Sequence, residues 1–161
     1  MKVAILTVSD KGAAGERRDL SGQAIAEEIA ELDVEVVARE IVPDEREQIS
    51  ALLVKFADEL GVELALTTGG TGFSPRDWTP EATRDIIDRE APGLAEAMRQ
   101  ASLEITPHAM LSRAIAGIRG CTLIINLPGS PKAVRENLRT IKPALKHAIE
   151  ILTGTGGECA G

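Results

Sequence analysis

The sequence predicts an α/β fold: a three-layer αβα sandwich whose sheet is mostly parallel, with one antiparallel strand. Three observations carry this. Short apolar runs alternate with longer stretches whose apolar residues recur every three or four positions, the pattern of strands laid between helices. Two of the runs end alike, in a glycine turn, a hydroxyl residue and a proline, at residues 67–80 and 126–131. With 161 residues, 43% of them hydrophobic, the chain can fill one core. No repeat, linker or low-complexity insert interrupts it. Residues 1–153 are therefore expected to form a single domain, with 154–161 a flexible Gly-rich tail.

Residues 2–7 are apolar and too few for a helix, which makes them a central buried strand. Ser9 and Asp10 end it. Residues 13–19 follow as an aperiodic loop at the end where a ligand would sit, long enough to act as a flap. A helix opens at Ser21-Gly22-Gln23, carries Ala24, Ile25, Ile29 and Leu32 at helical spacing and closes at Asp33. Residues 34–42 are β-branched and alternate imperfectly, the mark of a strand nearer the sheet edge. Asp44 and Glu47 make a capping-box pattern ahead of Ile49, Leu52, Leu53, Phe56 and Leu60.

A third strand, 63–68, runs into the loop Thr67-Thr68-Gly69-Gly70-Thr71-Gly72-Phe73-Ser74-Pro75-Arg76-Asp77-Trp78. Thr79 then reads as the N-cap of a helix over 80–89, which Pro92-Gly93 interrupts before a helix over 94–105 with Ser102 off its apolar face. Beyond a connection at 107–113, the runs 114–118 and 121–127 flank Arg119-Gly120 as a hairpin, and this supplies the antiparallel strand. The last helix starts at Pro131 and keeps Val134, Leu138, Ile141, Leu145, Ile149 and Leu152 on one face. Pro143 in its middle predicts a kink or break.

Composition excludes several functions. A net charge of −7 without clustered Lys or Arg gives no footprint for nucleic acid, and a chain with no Tyr, two Phe and one Trp offers no base-stacking platform. No apolar segment approaches the ~18 residues a membrane span needs, and the N-terminus turns polar without a cleavage region, so a cytoplasmic location is expected. Cys121 lies in an apolar run and Cys159 in the Gly-rich tail; that spacing supports neither a disulfide framework nor a zinc site.

What chemistry remains is set by the strand ends. Three glycines in four residues, Gly69 to Gly72, let backbone approach a ligand and can line consecutive N–H groups into an anion nest. No P-loop lysine follows them and no G-x-G-x-x-G occurs, which disfavours a P-loop NTPase and a dinucleotide dehydrogenase. Asp44 reads equally as a helix cap or as a carboxylate facing phosphate or metal, and both can hold together. Asp77 reads as a site carboxylate beside the nest, against an ion pair with Arg76. With the second turn at Pro128-Gly129-Ser130, the set suits Mg²⁺-assisted phosphoryl or nucleotidyl transfer, in which Mg²⁺ takes one or two protein carboxylates plus substrate phosphates. His108 and His147 have no Ser or Cys arranged for nucleophilic catalysis. Ser112-Arg113 could bind an anion, though an arginine after a loop is more often a solvated charge or a subunit contact.

These motifs closely resemble the signature of the MogA/MoaB family of molybdenum-cofactor biosynthesis proteins. The resemblance rests on Thr67-Thr68-Gly69-Gly70-Thr71-Gly72 with Arg76-Asp77 and Thr79-Pro80-Glu81-Ala82, on Thr7-Val8-Ser9-Asp10, Val42-Pro43-Asp44 and Ser112-Arg113, and on Asn126-Leu127-Pro128-Gly129-Ser130-Pro131-Lys132-Ala133. It implies a molybdopterin-binding fold, a homotrimer or hexamer, and adenylyl transfer from ATP with Mg²⁺ to molybdopterin, releasing pyrophosphate. It implies roles too. Asp44 and Asp77 match the acidic positions that hold Mg²⁺ and nucleotide phosphates, and Gly69, Gly70, Thr71 and Gly72 match the phosphate loop. Ser9 and Asp10 line the same edge; Ser102, Ser112 and Asn126 match polar contacts on the pterin side; Pro128, Gly129 and Ser130 border the nucleotide. A downstream molybdenum-insertion protein is the implied partner. The alternative within the family is a MoaB-type molybdopterin-binding protein with little or no adenylyltransferase activity.

Overall fold

The computed structural model describes residues 1–154; the tail expected at 154–161 lies, beyond Gly154, outside the described residues. The strands are β1 (Lys2–Val8), β2 (Glu35–Val42), β3 (Leu64–Thr68), β4 (Arg89–Glu90), β5 (Ala116–Arg119) and β6 (Thr122–Leu127). They form one six-stranded sheet in the order β2-β1-β3-β6-β5-β4. The first four in that order are mutually parallel, and β5 runs against both of its neighbours. Strand β2 lies at the edge, as its imperfect alternation suggested, and its register on β1 slips between Val3 and Ala4.

Each central strand is largely apolar because both of its faces are covered. Val3 and Ile5, Leu64 and Leu66, and Leu123, Ile125 and Leu127 face one layer of helices: α2 (Leu20–Ile29), α5 (Pro92–Leu103) and α6 (Pro131–Thr153). The intervening Ala4, Leu6, Val8, Ala65 and Ile124 face the other, α3 (Arg46–Val54) with its π-helical extension Lys55–Glu59, and α4 (Thr79–Arg84). Each fully buried Ile or Leu at these positions contributes roughly 1.5–3 kcal/mol. Helices within this first layer are tied by charge as well. Buried Glu28 of α2 accepts hydrogen bonds from Arg139 (2.7 Å) and Lys142 (3.2 Å) of α6.

Several boundaries differ from expectation, each for a local reason. Helix α2 is capped by Asp19, whose Oδ1 accepts from the Gly22 N–H at 2.8 Å, rather than at Ser21, and it ends in a 3₁₀ turn, Ala30–Leu32. Helix α4 begins at Thr79 and stops at Arg84, because 85–90 leave to form a β4 too short and too charged to show any period. Pro92 is the first residue of α5, where its missing N–H costs nothing, and so does not interrupt it. Helix α6 continues unbroken through Pro143. The hairpin turn is Gly120-Cys121, one residue later than read. The reading of the two cysteines turns on Cys159, which lies outside the described residues.

Candidate active site

Parallel strands bring their carboxyl ends to one edge, and the segments that leave β1, β2, β3 and β6 meet there. They enclose a cleft of about 680 Å³ lined by Ser9, Asp44, Gly69, Gly70, Asp77, Gly129 and Ser130, together with Arg17 and Arg18 of the segment between α1 (Asp10–Ala13) and α2, and Ser21 of α2.

The glycines are there because nothing larger fits. Gly69 has φ +94°, and a Cβ on it would lie 2.3 Å from the Val8 carbonyl oxygen; Gly70 has φ +67°, and its Cβ would lie 2.3 Å from Thr79 Oγ1. Both carbonyls are taken by α4, since Thr79 Oγ1 donates to Gly69 O (2.9 Å) and the Thr79 N–H to Gly70 O (3.1 Å). The Gly70 and Thr71 N–H groups have no acceptor among the described residues, as an anion nest requires. Thr79, expected as a cap, instead pins the loop.

Below lies a buried polar network. Asn126 Nδ2 donates to Thr67 Oγ1 and Thr83 Oγ1, both at 3.0 Å, and its Oδ1 accepts from the Ile115 N–H at 3.2 Å. Its side chain is thereby fully committed, and Asn126 is buried beneath the loop, lining neither cavity. The neighbouring turn is tied in by Thr68 Oγ1 to Pro128 O (2.6 Å) and Ser21 Oγ to Gly129 O (2.6 Å).

The two carboxylates are held differently. Asp77 Oδ2 accepts from the Gly72 and Ser74 N–H groups, each at 3.0 Å, so this carboxylate shapes the loop it follows. Asp44 does not cap α3, whose N-cap residue Glu45 makes no side-chain capping bond and instead accepts from Arg76. It exchanges bonds with Asp10 instead: Asp44 Oδ2 accepts from the Asp10 N–H (2.9 Å) and the Asp44 N–H donates to Asp10 Oδ1 (3.0 Å). Burial pushes the Asp44 carboxyl above its ordinary range, and the negative charges of Asp10 and Asp77 push the same way. Asp10 is held below its ordinary range by the Arg76 guanidinium, and it lines neither cavity. Asp44 and Asp77 each keep one oxygen, Oδ1, without a hydrogen-bond donor among the described residues.

Thr71, Gly72, Ser102, Ser112 and Pro128 line a second cavity of about 270 Å³, together with Met98, Arg99 and Asn137. There Asn137 Nδ2 donates to Ser102 Oγ at 3.0 Å. Successive residues of each turn thus serve different cavities: Gly69 and Gly70 face the first and Thr71 and Gly72 the second, while Gly129 and Pro128 divide likewise.

Sequence reasoning missed how the loop is held. Arg113 donates to Gly72 O (2.8 Å), Asp77 O (2.8 Å) and the Glu81 carboxylate, and its N–H to Thr71 O (2.8 Å). It binds the loop rather than an external anion, and nothing in its spacing indicates this. Arg17, Arg18 and Ser21 stand in the segment read only as a flap and a helix start.

Comparison with known proteins follows the same lines. Residues 4–147 match the family model described as a probable molybdopterin binding domain. A protein from Helicobacter pylori (strain J99) named molybdopterin adenylyltransferase is 45% identical over 154 residues, covering 94% of this chain and 88% of that one. Its namesake in Escherichia coli K12 is 40% identical, over 92% of this chain and 77% of that one. The crystal structure of a molybdopterin biosynthesis enzyme, MoaB of Thermus thermophilus, superposes with a TM-score of 0.91 at 56% identity, covering 96% and 97% of the two chains.

Proposed function

Because the chain belongs to the molybdopterin-binding domain family of molybdenum-cofactor biosynthesis, we propose that it is a molybdopterin adenylyltransferase that uses Mg-ATP. The observation that carries this is the convergence of two unpaired backbone N–H groups, at Gly70 and Thr71, with two carboxylates that each keep a free oxygen among the described residues. In the reaction, a terminal phosphate oxygen of molybdopterin attacks the α-phosphorus of ATP. The bond from that phosphorus to the bridging oxygen breaks, and pyrophosphate leaves with the electron pair.

Asp44 and Asp77 fit Mg²⁺, which takes one or two carboxylates and fills its remaining positions with phosphate oxygens and water. Two carboxylates alone leave most positions of such an ion to phosphate oxygens and water. Burial raises Asp44 and the charges of Asp10 and Asp77 add to it; a divalent cation would relieve that added repulsion. Bound there, Mg²⁺ would neutralise charge developing on the pyrophosphate. The protein's own part is positioning. Gly70 and Thr71 N–H groups hold a phosphate, Thr79 and Arg113 hold the loop, and Gly129 and Ser130 bound the nucleotide. The pterin belongs in the second cavity, against Ser102 and Ser112, with its phosphate reaching across the loop.

The test is product analysis after mixing the protein with molybdopterin and Mg-ATP. Adenylyl-molybdopterin and pyrophosphate are expected only when all three components are present. Molybdopterin binding with no ATP turnover would identify the MoaB-type binding protein instead. A homotrimer or hexamer in the cytoplasm, handing product to a molybdenum-insertion protein, completes the proposal; light scattering showing a monomer would remove the first of these.

A further inference from the structure

The cleft has an acidic floor. Asp19, Asp44 and Asp77 line it, and the only cationic side chains that do so among the described residues are Arg17 and Arg18. Asp19 is not their partner; its carboxylate accepts instead from Thr7 Oγ1 (3.0 Å), the Gly22 N–H (2.8 Å) and Arg39 Nη2 (3.2 Å). Arg17 and Arg18 are both exposed, and neither guanidinium has a hydrogen-bond or ion-pair partner among the described residues. This is unusual in the molecule. Apart from Arg89 on the distant edge strand, every other arginine among the described residues is bonded to a carboxylate or a carbonyl. Two unpaired guanidiniums therefore line the same cleft as the unpaired Gly70 N–H and the free oxygens of Asp44 and Asp77.

Their backbone is fixed on both sides. Ser9 caps α1, accepting from the Gly12 N–H at 3.0 Å; the Glu16 N–H donates to Lys11 O at 2.9 Å; the Leu20 N–H donates to Arg18 O at 3.0 Å; and Asp19 caps α2. A planar guanidinium on a fixed backbone is suited to fork onto phosphate oxygens.

We propose that Arg17 and Arg18 bind the β- and γ-phosphates of the nucleoside triphosphate, and grip the pyrophosphate as it leaves. This rests on the adenylyltransferase reading for the identity of the ligand, and extends it to two residues outside the family motifs. The geometry divides the labour: carboxylate-held cation and glycine loop at the α-phosphate, arginines beyond it.

Isothermal titration of the full chain with Mg-ATP, inorganic pyrophosphate and AMP tests the assignment. In the Arg17→Ala/Arg18→Ala double variant, affinity for ATP and pyrophosphate is expected to fall roughly ten- to hundredfold, as for the loss of charge-assisted phosphate contacts, with AMP within about twofold of wild type. The thermal midpoint should not move, since neither side chain makes an internal bond. The conservative double variant, Arg17→Lys with Arg18→Lys, should recover part of the lost affinity. Unchanged ATP and pyrophosphate affinity, or an equal loss for AMP, would overturn the assignment. Tight pyrophosphate binding through both arginines in a protein that never adenylylates molybdopterin would leave this site standing and remove the adenylyltransferase reading.

Discussion

A buried carboxylate that faces another carboxylate can lower its energy by taking up a proton or by holding a cation. Asp44 is in that position, and its raised pKa has a defined sign. A group with a folded pKa above its unfolded value adds stability at low pH and withdraws it as pH rises through the folded pKa, so at neutral pH ionised Asp44 burdens the metal-free fold. Asp44→Asn keeps an oxygen for the Asp10 N–H. It should therefore match or exceed the wild-type melting temperature in the absence of Mg²⁺, while losing more than about a hundredfold in adenylyl transfer. A clear drop in the metal-free melting temperature would show that the charge is not the burden described. Mg²⁺ should also bind less tightly as pH falls toward the Asp44 titration, which calorimetry at two pH values can follow. Arg113→Ala removes two side-chain ties to the loop and one to Glu81 of α4 without touching either cavity, and should lower kcat more than it changes the KM for ATP.

At the scale of elements, the central strands were legible because burial on both faces leaves an uninterrupted apolar run, and α6 because one apolar face repeats along its whole length. Strand β4 was not, since two charged residues have no period; it exists through backbone bonds from Asp88 to Ile118 O (2.7 Å) and from Ala91 to Ala116 O (2.9 Å). The glycine loop could be recognised as a nest, but what holds it could not. In sequence Asn126 looks like a ligand contact and Thr79 like a helix cap, because polar residues beside a motif carry no sign of burial; in the fold they are its foundation. Asn126→Ala would leave the hydroxyls of Thr67 and Thr83 and an amide short of partners, and should cost roughly 2–4 kcal/mol by chemical denaturation. Gly70→Ala meets both a left-handed φ and a 2.3 Å approach to Thr79 Oγ1, and should cost about 2 kcal/mol or more.

Across the whole molecule, two buried carboxylates, Glu28 and Asp44, respond to charge in opposite ways. Burial alone would raise Glu28, but its bonds from Arg139 and Lys142 outweigh that and hold it below the ordinary range. Its contribution is present above the unfolded glutamate pKa of about 4.3 and is lost as pH falls through the lower folded value. Acid should therefore unlatch α2 from α6 even as it relieves Asp44. Melting temperatures measured downward from about pH 5 should fall, and Glu28→Gln should flatten that fall while lowering stability at neutral pH. A Glu28→Gln protein with the wild-type acid profile would assign the acid sensitivity to other pairs.

The two cavities share the same stretches of main chain, with neighbouring residues of each turn lining opposite cavities. An occupant on one side cannot shift Gly70 without shifting Thr71, so the two ligands are thermodynamically linked. Whatever factor the nucleotide applies to the affinity for the pterin, the pterin must return to the nucleotide in full. The order in which the substrates arrive can then change the rates of assembly, but not the stability of the ternary complex.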